Sequence, residues 1–320
     1  MTQATRALAY AFETGALAEQ RAFFLRAEDP PFDAIDCEQS FRPAFLKLRH
    51  ATPRLETGAW PLGLVLATKH KEENLANLAR GWVLLEPGGT LGCASANDDG
   101  AASLERHVAK AFGLAGTLSK FHSRVFWFTK ADREPPAYWR GLAGLQPVAD
   151  SSWLSRPGIF SWDRVDDGSA LLARHLPDDL AGHVADFGCG WGYLAREALA
   201  RAPAIERIDL IDAEHLVLDA AYANIKDPRA SFHWLDLTTE AAPATYDAIV
   251  CNPPFHTGRA STPALGQKAI EAAASALKPG GRFYMVANRG LPYEPLLKQH
   301  FASFNMLADN NKFRITQAVR

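Results

Sequence analysis

Asn252-Pro253-Pro254-Phe255 places an amide, a carbonyl and an aromatic ring on a backbone stiffened by two prolines. Asn252 and Pro253 each precede a proline, which disfavours helix and favours extended geometry. Pro253 and Pro254 have a fixed φ and no N–H to donate. The Asn252 side chain and the Pro253 carbonyl offer two acceptors beside the Phe255 ring. That set suits a flat molecule carrying an exocyclic NH2 group. The plainer alternative is a strand that ends in an Asn-Pro turn.

A second constellation lies upstream: Asp186-Phe187-Gly188-Cys189-Gly190-Trp191-Gly192, followed by Asp212 and Asp236. Glycines at this spacing let the backbone turn tightly and lie against a ligand. Asp212 follows Gly192 by 20 residues, where an acid in a nucleotide-binding fold accepts from ribose hydroxyls. Gly190-x-Gly192-x-x-Ala195 also satisfies a loose dinucleotide pattern, so the loop alone permits NAD. Asp186 and Asp236 favour S-adenosylmethionine. Asp186 is placed to meet an amino group, and Asp236 either accepts from an adenine amine or is a solvated strand end.

These residues need strand ends to hold them. Val184–Phe187, Ile208–Ile211, Ser231–Leu235, Ala248–Cys251 and Arg282–Ala287 read as strands. Tyr193–Arg201, Ala213–Ile225 and Thr262–Leu277 read as helices between them, with Pro279-Gly280-Gly281 as a turn. Alternation of this kind predicts a parallel, doubly wound α/β sheet. Phe304–Ala308, Asp309-Asn310-Asn311 and Lys312–Val319 read as a closing hairpin, so the last strand is expected to be antiparallel. Ligands bind beyond the carboxyl ends of such strands, where Asp186, the glycine loop, Asp212, Asp236 and Asn252 all fall.

The 320 residues, 48% hydrophobic and 22% charged, suggest two globular domains. No apolar run reaches the ~20 residues of a membrane span, so no membrane partner is expected. The start, Met1 to Arg6, reads as helix-like rather than as an export signal. Cys37, Cys93, Cys189 and Cys251 show no metal-ligand spacing, so no metal is expected, and reduced thiols in the cytoplasm are the default. Net charge is -2, and residues 1–150 hold 17 Lys and Arg against 17 Asp and Glu. A broad basic footprint for nucleic acid is absent. An RNA partner would be met by shape, local patches or assembled protein.

Asp186–Gly192, Asp212 and Asn252–Phe255 together resemble a class I S-adenosylmethionine-dependent methyltransferase acting on a planar amine. Pro157-Gly158-Ile159-Phe160-Ser161, Asp167-Gly168-Ser169-x-Leu171-Leu172, His256 after the proline loop, and Val286-Ala287-Asn288-x-x-Leu291-Pro292-Tyr293 narrow the match. They resemble the ribosomal RNA small-subunit methyltransferase C family, whose close relative is the large-subunit methyltransferase G. The resemblance implies guanine-N2 methylation of ribosomal RNA, most naturally 16S and within a ribosomal subunit, with S-adenosylhomocysteine as product. It implies catalytic roles for Asn252, Pro253, Pro254 and Phe255. Asp186, Gly188, Gly190, Gly192, Asp212 and Asp236 would hold the cofactor, and Phe160, Asp167 and Ser169 would lie near it.

The family is built from two tandem methyltransferase-like (Rossmann-like) domains, each a seven-stranded, mostly parallel sheet with an antiparallel last strand, the first copy degenerate. Leu85-Glu86-Pro87-Gly88-Gly89-Thr90-Leu91 echoes Leu277-Lys278-Pro279-Gly280-Gly281-Arg282-Phe283. Leu64–Ala67 likewise echoes Ala248–Cys251, putting Thr68 where the second copy has Asn252. The expected division is a degenerate domain over 1–135, a connector over 136–156 and a catalytic domain over 157–320. Lys69, His70, Lys71 and Arg80, and also Arg289, Lys298, Lys312 and Arg314, are candidate RNA contacts, with a solvated helix start or surface as the more ordinary alternative.

Five rival functions remain from the residues. The same proline loop serves N6-adenine methylation of DNA and glutamine methylation of a release factor. Guanine-N2 methylation of 23S ribosomal RNA fits the close relative. A non-enzymatic RNA-binding factor on a dead methyltransferase fold would leave the intact glycine loop without a use. An NAD-dependent oxidoreductase would leave Asn252–Phe255 unexplained.

Overall fold

The computed structural model describes residues 1–149, 151–253, 256–257, 260–261 and 263–320. It divides into two compact units, residues 1–146 with 156–158, and residues 147–155 with 159–320.

The first unit is a seven-stranded sheet of β1 (Ala22–Leu25), β2 (Ile35–Glu38), β3 (Ala51–Thr52), β4 (Trp60–Leu66), β5 (Leu85–Ala96), β6 (Gly116–Lys120) and β7 (Ser123–Thr129). Their order is β3-β2-β1-β4-β5-β7-β6. Helices α1 (Gln3–Glu13), α2 (Lys71–Leu84) and α3 (Ala101–Phe112) accompany it. Leu8, Phe24, Leu62 and Leu64 belong to a core cluster beneath α1. The rings of Trp82, Phe112 and Phe128 form a near-parallel cluster, with Phe112 centroid distances of 4.5 and 4.8 Å to the other two. Residues 137–142, expected in a connector, instead form helix α4 (Ala137–Leu142) of this unit. Trp139 and Leu142 are buried, and Trp139 meets Phe112 edge-on, so apolar burial outweighs the preceding prolines.

The second unit repeats the plan. Its strands are β8 (Gly182–Phe187), β9 (Ile205–Asp212), β10 (Ala230–Trp234), β11 (Tyr246–Cys251), β12 (Leu277–Asn288), β13 (Ser303–Asp309) and β14 (Phe313–Val319). Their order is β10-β9-β8-β11-β12-β14-β13, with β8 to β12 parallel and β14 antiparallel to both neighbours. The final hairpin therefore inserts its last strand inside the sheet and leaves β13 at the edge. Helices α5 (Asp167–His175), α6 (Tyr193–Arg201), α7 (His215–Asn224), α8 (Pro263–Ala276) and α9 (Glu294–His300) accompany it. Phe187, Ile249, Phe283 and Met285 are fully or almost fully buried on the strands that carry the site.

The Pro-Gly-Gly bends set a common register. Thr90 pairs with Leu62 in the first sheet, and Arg282 pairs with Ala248 in the second. Val65 then matches Cys251, and Leu66 matches Asn252. This is two residues from the match suggested by the sequence echo, because the bend, and not the apolar run, aligns the ladders. Leu25 pairs with Val65 as Phe187 pairs with Cys251, so Arg26 matches Gly188. Leu25 pairs with Glu38 as Phe187 pairs with Ile211, so Gln39 matches Asp212.

Candidate active site

The site of the second unit is built where β8 and β11 end side by side. Phe187 and Cys251 are paired partners, so Gly188 and Asn252 leave the sheet together. Phe160, Ser161, Asp166, Ser169, the Gly188–Gly190 loop, Trp191, Tyr193, Leu194 and Asn252 line one pocket.

Asp186 lies beneath the loop with no exposed surface. Its Oδ2 accepts the Ala195 amide at 3.0 Å. Its Oδ1 is buried and meets no donor among the described residues. Desolvation pushes its carboxyl up to about 7, against the Ala195 hydrogen bond, and the Asp212 charge adds to the rise. A buried acceptor without a partner suits a cationic ligand group, which would return the charge to the carboxylate.

Gly188 and Gly190 have φ of +71° and +52°, and at Gly190 a side chain would project into open space. That open space is what a ligand lying on the loop requires. Asp212 fixes this loop: its Oδ2 accepts the Gly190 amide at 3.0 Å and its Oδ1 the Glu214 amide at 2.9 Å. Burial raises its carboxyl to about 6 in spite of those bonds.

Asp236 is buried, and its carboxylate is engaged within its own turn. Oδ1 accepts the Thr238 amide and hydroxyl, at 3.0 and 2.7 Å, and Oδ2 accepts the Thr239 hydroxyl at 2.9 Å. It shapes the loop after β10 and is not among the residues lining the pocket.

Asn252 makes the most informative contact. Its Nδ2 donates to Asp166 Oδ2 at 3.0 Å and to the Ser169 hydroxyl at 2.8 Å. Both amide protons are therefore used, and Oδ1 remains as the acceptor face. Asp166 is the N-cap of α5, accepting the Ser169 amide at 2.8 Å. Asp166 was missed in the sequence, where the resemblance pointed to Asp167. Asp167 begins the helix, faces solvent and pairs with Lys312 at 3.0 Å. The signal available was a cap-like acid three residues before Ser169. Pro253 is buried. Pro254 and Phe255 lie outside the described residues.

Trp191 sits within the glycine loop. It is buried against Trp153 and Tyr193, and its Nε1 donates to the Ser161 carbonyl at 3.3 Å. The glycine loop is thereby tied to the Phe160–Ser161 wall. Cys189 and Cys251 are buried, and desolvation raises both thiols well above their ordinary range, consistent with inert packing groups.

The "Methyltransferase small domain" family model matches residues 151–317. A Pseudomonas aeruginosa ribosomal RNA small subunit methyltransferase C is 32% identical over 276 residues, covering 83% of this chain and 81% of the relative. The Shewanella pealeana protein of the same name is 30% identical over 244 residues, 74% of this chain and 70% of the relative. The chain belongs to the ribosomal RNA small subunit methyltransferase C family. A solved T. thermophilus 16S rRNA N2 methyltransferase, in complex with AdoMet and guanosine, shares the fold with a TM-score of 0.81 at 22% identity. That likeness covers 100% of this chain and 92% of the other, so both units have counterparts in it.

Several of the candidate RNA contacts are engaged within their own unit. Arg80 is committed to the buried carboxylate of Glu38 through two bonds of 2.7 Å. In the second unit Arg314 pairs with Glu294 at 2.6 Å, and Arg289 with Asp309 at 3.4 Å. Among the described residues no helix is long and apolar enough to cross a membrane, and no group of metal-ligating side chains forms.

Proposed function

We propose that the protein methylates the exocyclic N2 of a guanine in 16S ribosomal RNA, using S-adenosylmethionine, with a ribosomal subunit as substrate. One observation carries this reading. Asn252 spends its amide protons on Asp166 and Ser169, which turns Oδ1 outward as an acceptor beside the cofactor loop.

The residues present fit the cofactor. Asp186 Oδ1 offers a buried carboxylate oxygen for an ammonium group, and the Gly188–Gly190 backbone leaves room along the loop. Asp212 has lone pairs left for ribose hydroxyls after bonding its two amides. When bound, S-adenosylmethionine supplies an electrophilic methyl group on a sulfonium.

Guanine N2 is a weak nucleophile because its lone pair is delocalised into the ring. Asn252 Oδ1 and the Pro253 carbonyl take its two N–H bonds, which draws the nitrogen toward sp3 geometry. Neither acceptor is a base at neutral pH, so the proton leaves to water after the nitrogen becomes cationic. Catalysis rests on alignment and on acceptors fixed before the reaction. Asp166 and Ser169 hold the amide the correct way round, so no reorientation is required at the moment of transfer. The base must leave its stack, at a cost of a few kcal/mol. Phe255 is the proposed stacking partner, which would offset about 1–3 kcal/mol of that cost.

The test is methyl transfer from labelled cofactor to small subunits, large subunits, naked 16S RNA, DNA and release factor, followed by nucleoside analysis. N2-methylguanosine in small-subunit RNA is the expected product. Label on adenine N6 or on glutamine would overturn the reading, and label in 23S RNA alone would move the substrate to the other subunit.

A further inference from the structure

The start of helix α6 hands one carbonyl of the glycine loop to an outside partner. In a regular helix the Ala195 amide would bond the carbonyl four residues back, that of Trp191. Here Asp186 Oδ2 takes the Ala195 amide at 3.0 Å. The ladder resumes one residue later, where the Arg196 amide bonds the Gly192 carbonyl at 3.1 Å. The Trp191 carbonyl is met instead by Asn224, whose Nδ2 donates to it at 2.8 Å.

Asn224 is the last residue of helix α7, and its carboxamide is engaged on three sides. Nδ2 also donates to the Leu154 carbonyl at 2.8 Å, and Oδ1 accepts the Leu154 amide at 2.8 Å. Leu154, Asn224 and the loop all belong to the second unit. The two bonds to Leu154 pair the side chain with a backbone much as one strand pairs with another. The amide therefore cannot turn away from Trp191 without breaking them. Trp153, next to Leu154, sets its ring edge-on to Trp191 with centroids 5.1 Å apart, and the Arg196 guanidinium lies 4.2 Å over Trp153. Asn224 thus holds the Trp191 backbone directly and its indole through Leu154 and Trp153. Gly192 is left-handed, with φ of +89°, and a Cβ there would lie 2.9 Å from Ile225 Cδ1, so the end of α7 also closes on the loop.

We propose that Asn224 is a positioning residue for S-adenosylmethionine, holding the Gly190–Gly192 turn in place over the Asp186 carboxylate. The proposal rests on the cofactor reading above. Asp186 and Asn224 divide the junction between them, one taking the amide and the other the carbonyl that a regular helix would join. Trp191 lines the pocket and Asn224 does not, so Asn224 acts through Trp191. The Asn252 amide is held separately, by Asp166 and Ser169. Loss of Asn224 should therefore fall on cofactor binding and spare the transfer step.

The experiment uses the full chain and compares wild type with Asn224→Ala. Calorimetry gives the S-adenosylmethionine Kd, hydrogen exchange follows residues 188–192, and steady-state kinetics separate the cofactor KM from kcat. Losing the tie should raise Kd and KM about ten-fold, as for a polar contact worth one decade in affinity. Exchange over 188–192 should quicken, and kcat at saturating cofactor should stay within about two-fold of wild type. Tyr246→Phe is the control for general destabilisation. It removes the bond from the Tyr246 hydroxyl to buried Asp209 Oδ2, at the opposite end of β11 from the site. That variant should melt earlier and keep the wild-type Kd. If Asn224→Ala does not fold, Asn224→Asp carries the same readouts, since it keeps the acceptor for Leu154 and loses the amide donor to Trp191. An unchanged Kd, a loss of kcat with KM unchanged, or an equal rise in Kd for Tyr246→Phe overturns the proposal. Failure of the wild type itself to bind S-adenosylmethionine would overturn the cofactor reading instead.

Discussion

The two units carry one fold with two outcomes at matching positions. Where the second has Gly188, the first has Arg26; where the second has Asp212, the first has Gln39; where the second has Asn252, the first has Leu66. Gln39 keeps the architecture of Asp212 without its spare acceptor. Its Oε1 accepts the amide of Phe41, two residues on, at 3.0 Å, as Asp212 accepts that of Glu214. Its Nε2 donates to the Ala27 carbonyl at 2.9 Å, so the side chain closes the loop and leaves little for a ligand. The loop itself changes from glycines over open space to Arg26, whose side chain fills the corner and pairs with Glu73. The sheet tolerates all of this because its stability resides in apolar strand interiors, which both units retain. The chemistry does not, because it needs backbone at the ligand surface and acceptors not used by the protein.

The comparison can be broken first at the glycine loop. Gly190→Val would put a branched side chain at a left-handed φ and into the open space proposed for the cofactor. Calorimetry should show affinity reduced by roughly 100-fold or more. Glu28→Ala, at the matching place in the first unit, should leave affinity at the wild-type value.

The acids give a second contrast. Asp212→Ala should weaken cofactor binding by about ten-fold or more, since it removes both the proposed ribose acceptor and a loop tie. Gln39→Ala should lower stability by roughly 1–3 kcal/mol, by unpairing buried amides, without changing that affinity. Equal effects of the two on binding would erase the distinction between the units.

Asp166 sharpens the picture further. Asp166→Asn keeps a helix cap but no longer dictates which way the Asn252 amide points. The expected loss is about ten-fold in kcat with cofactor Kd unchanged, since small misplacements of a catalytic group already cost this much. Unaltered kcat would remove Asp166 from the account.

The smallest effect is in pH. Asp186 and Asp212 have folded values near 7 and 6, above their ordinary 3.8. The folded protein therefore binds more protons than the unfolded chain through that window. Their contribution to stability is full below pH 3.8 and is lost as pH rises through 6 to 7. Ligand-free protein should show this decline in melting temperature, and Asp186→Asn should flatten it. Cofactor affinity should rise over the same range if, as proposed, the cofactor's ammonium group meets an ionised Asp186.

Much of the second unit was legible in the sequence because its signals are local. Helix α6 begins at Tyr193 and ends at Arg201, where glycine and apolar spacing put it. Strand ends at Phe187, Asp212 and Cys251 follow from short apolar runs that give way to glycine or polar residues. The antiparallel strand was visible as a hairpin, but its insertion between β12 and β13 depends on sheet order, which no local pattern carries. Asp166 and Asp167 are adjacent acids, and only the helix start decides which one caps. The true register of the first unit was hidden because Leu64–Ala67 is apolar throughout and aligns equally well two residues away.

The most direct measurement compares Asn252→Ala with wild type in single-turnover methyl transfer to small subunits, with cofactor Kd taken on the same preparations. The account predicts transfer slowed by about 100- to 1000-fold, the range for losing one prearranged polar contact to the reacting group, with Kd near wild type. Transfer at the wild-type rate, or a rate loss explained wholly by a weakened Kd, would contradict it.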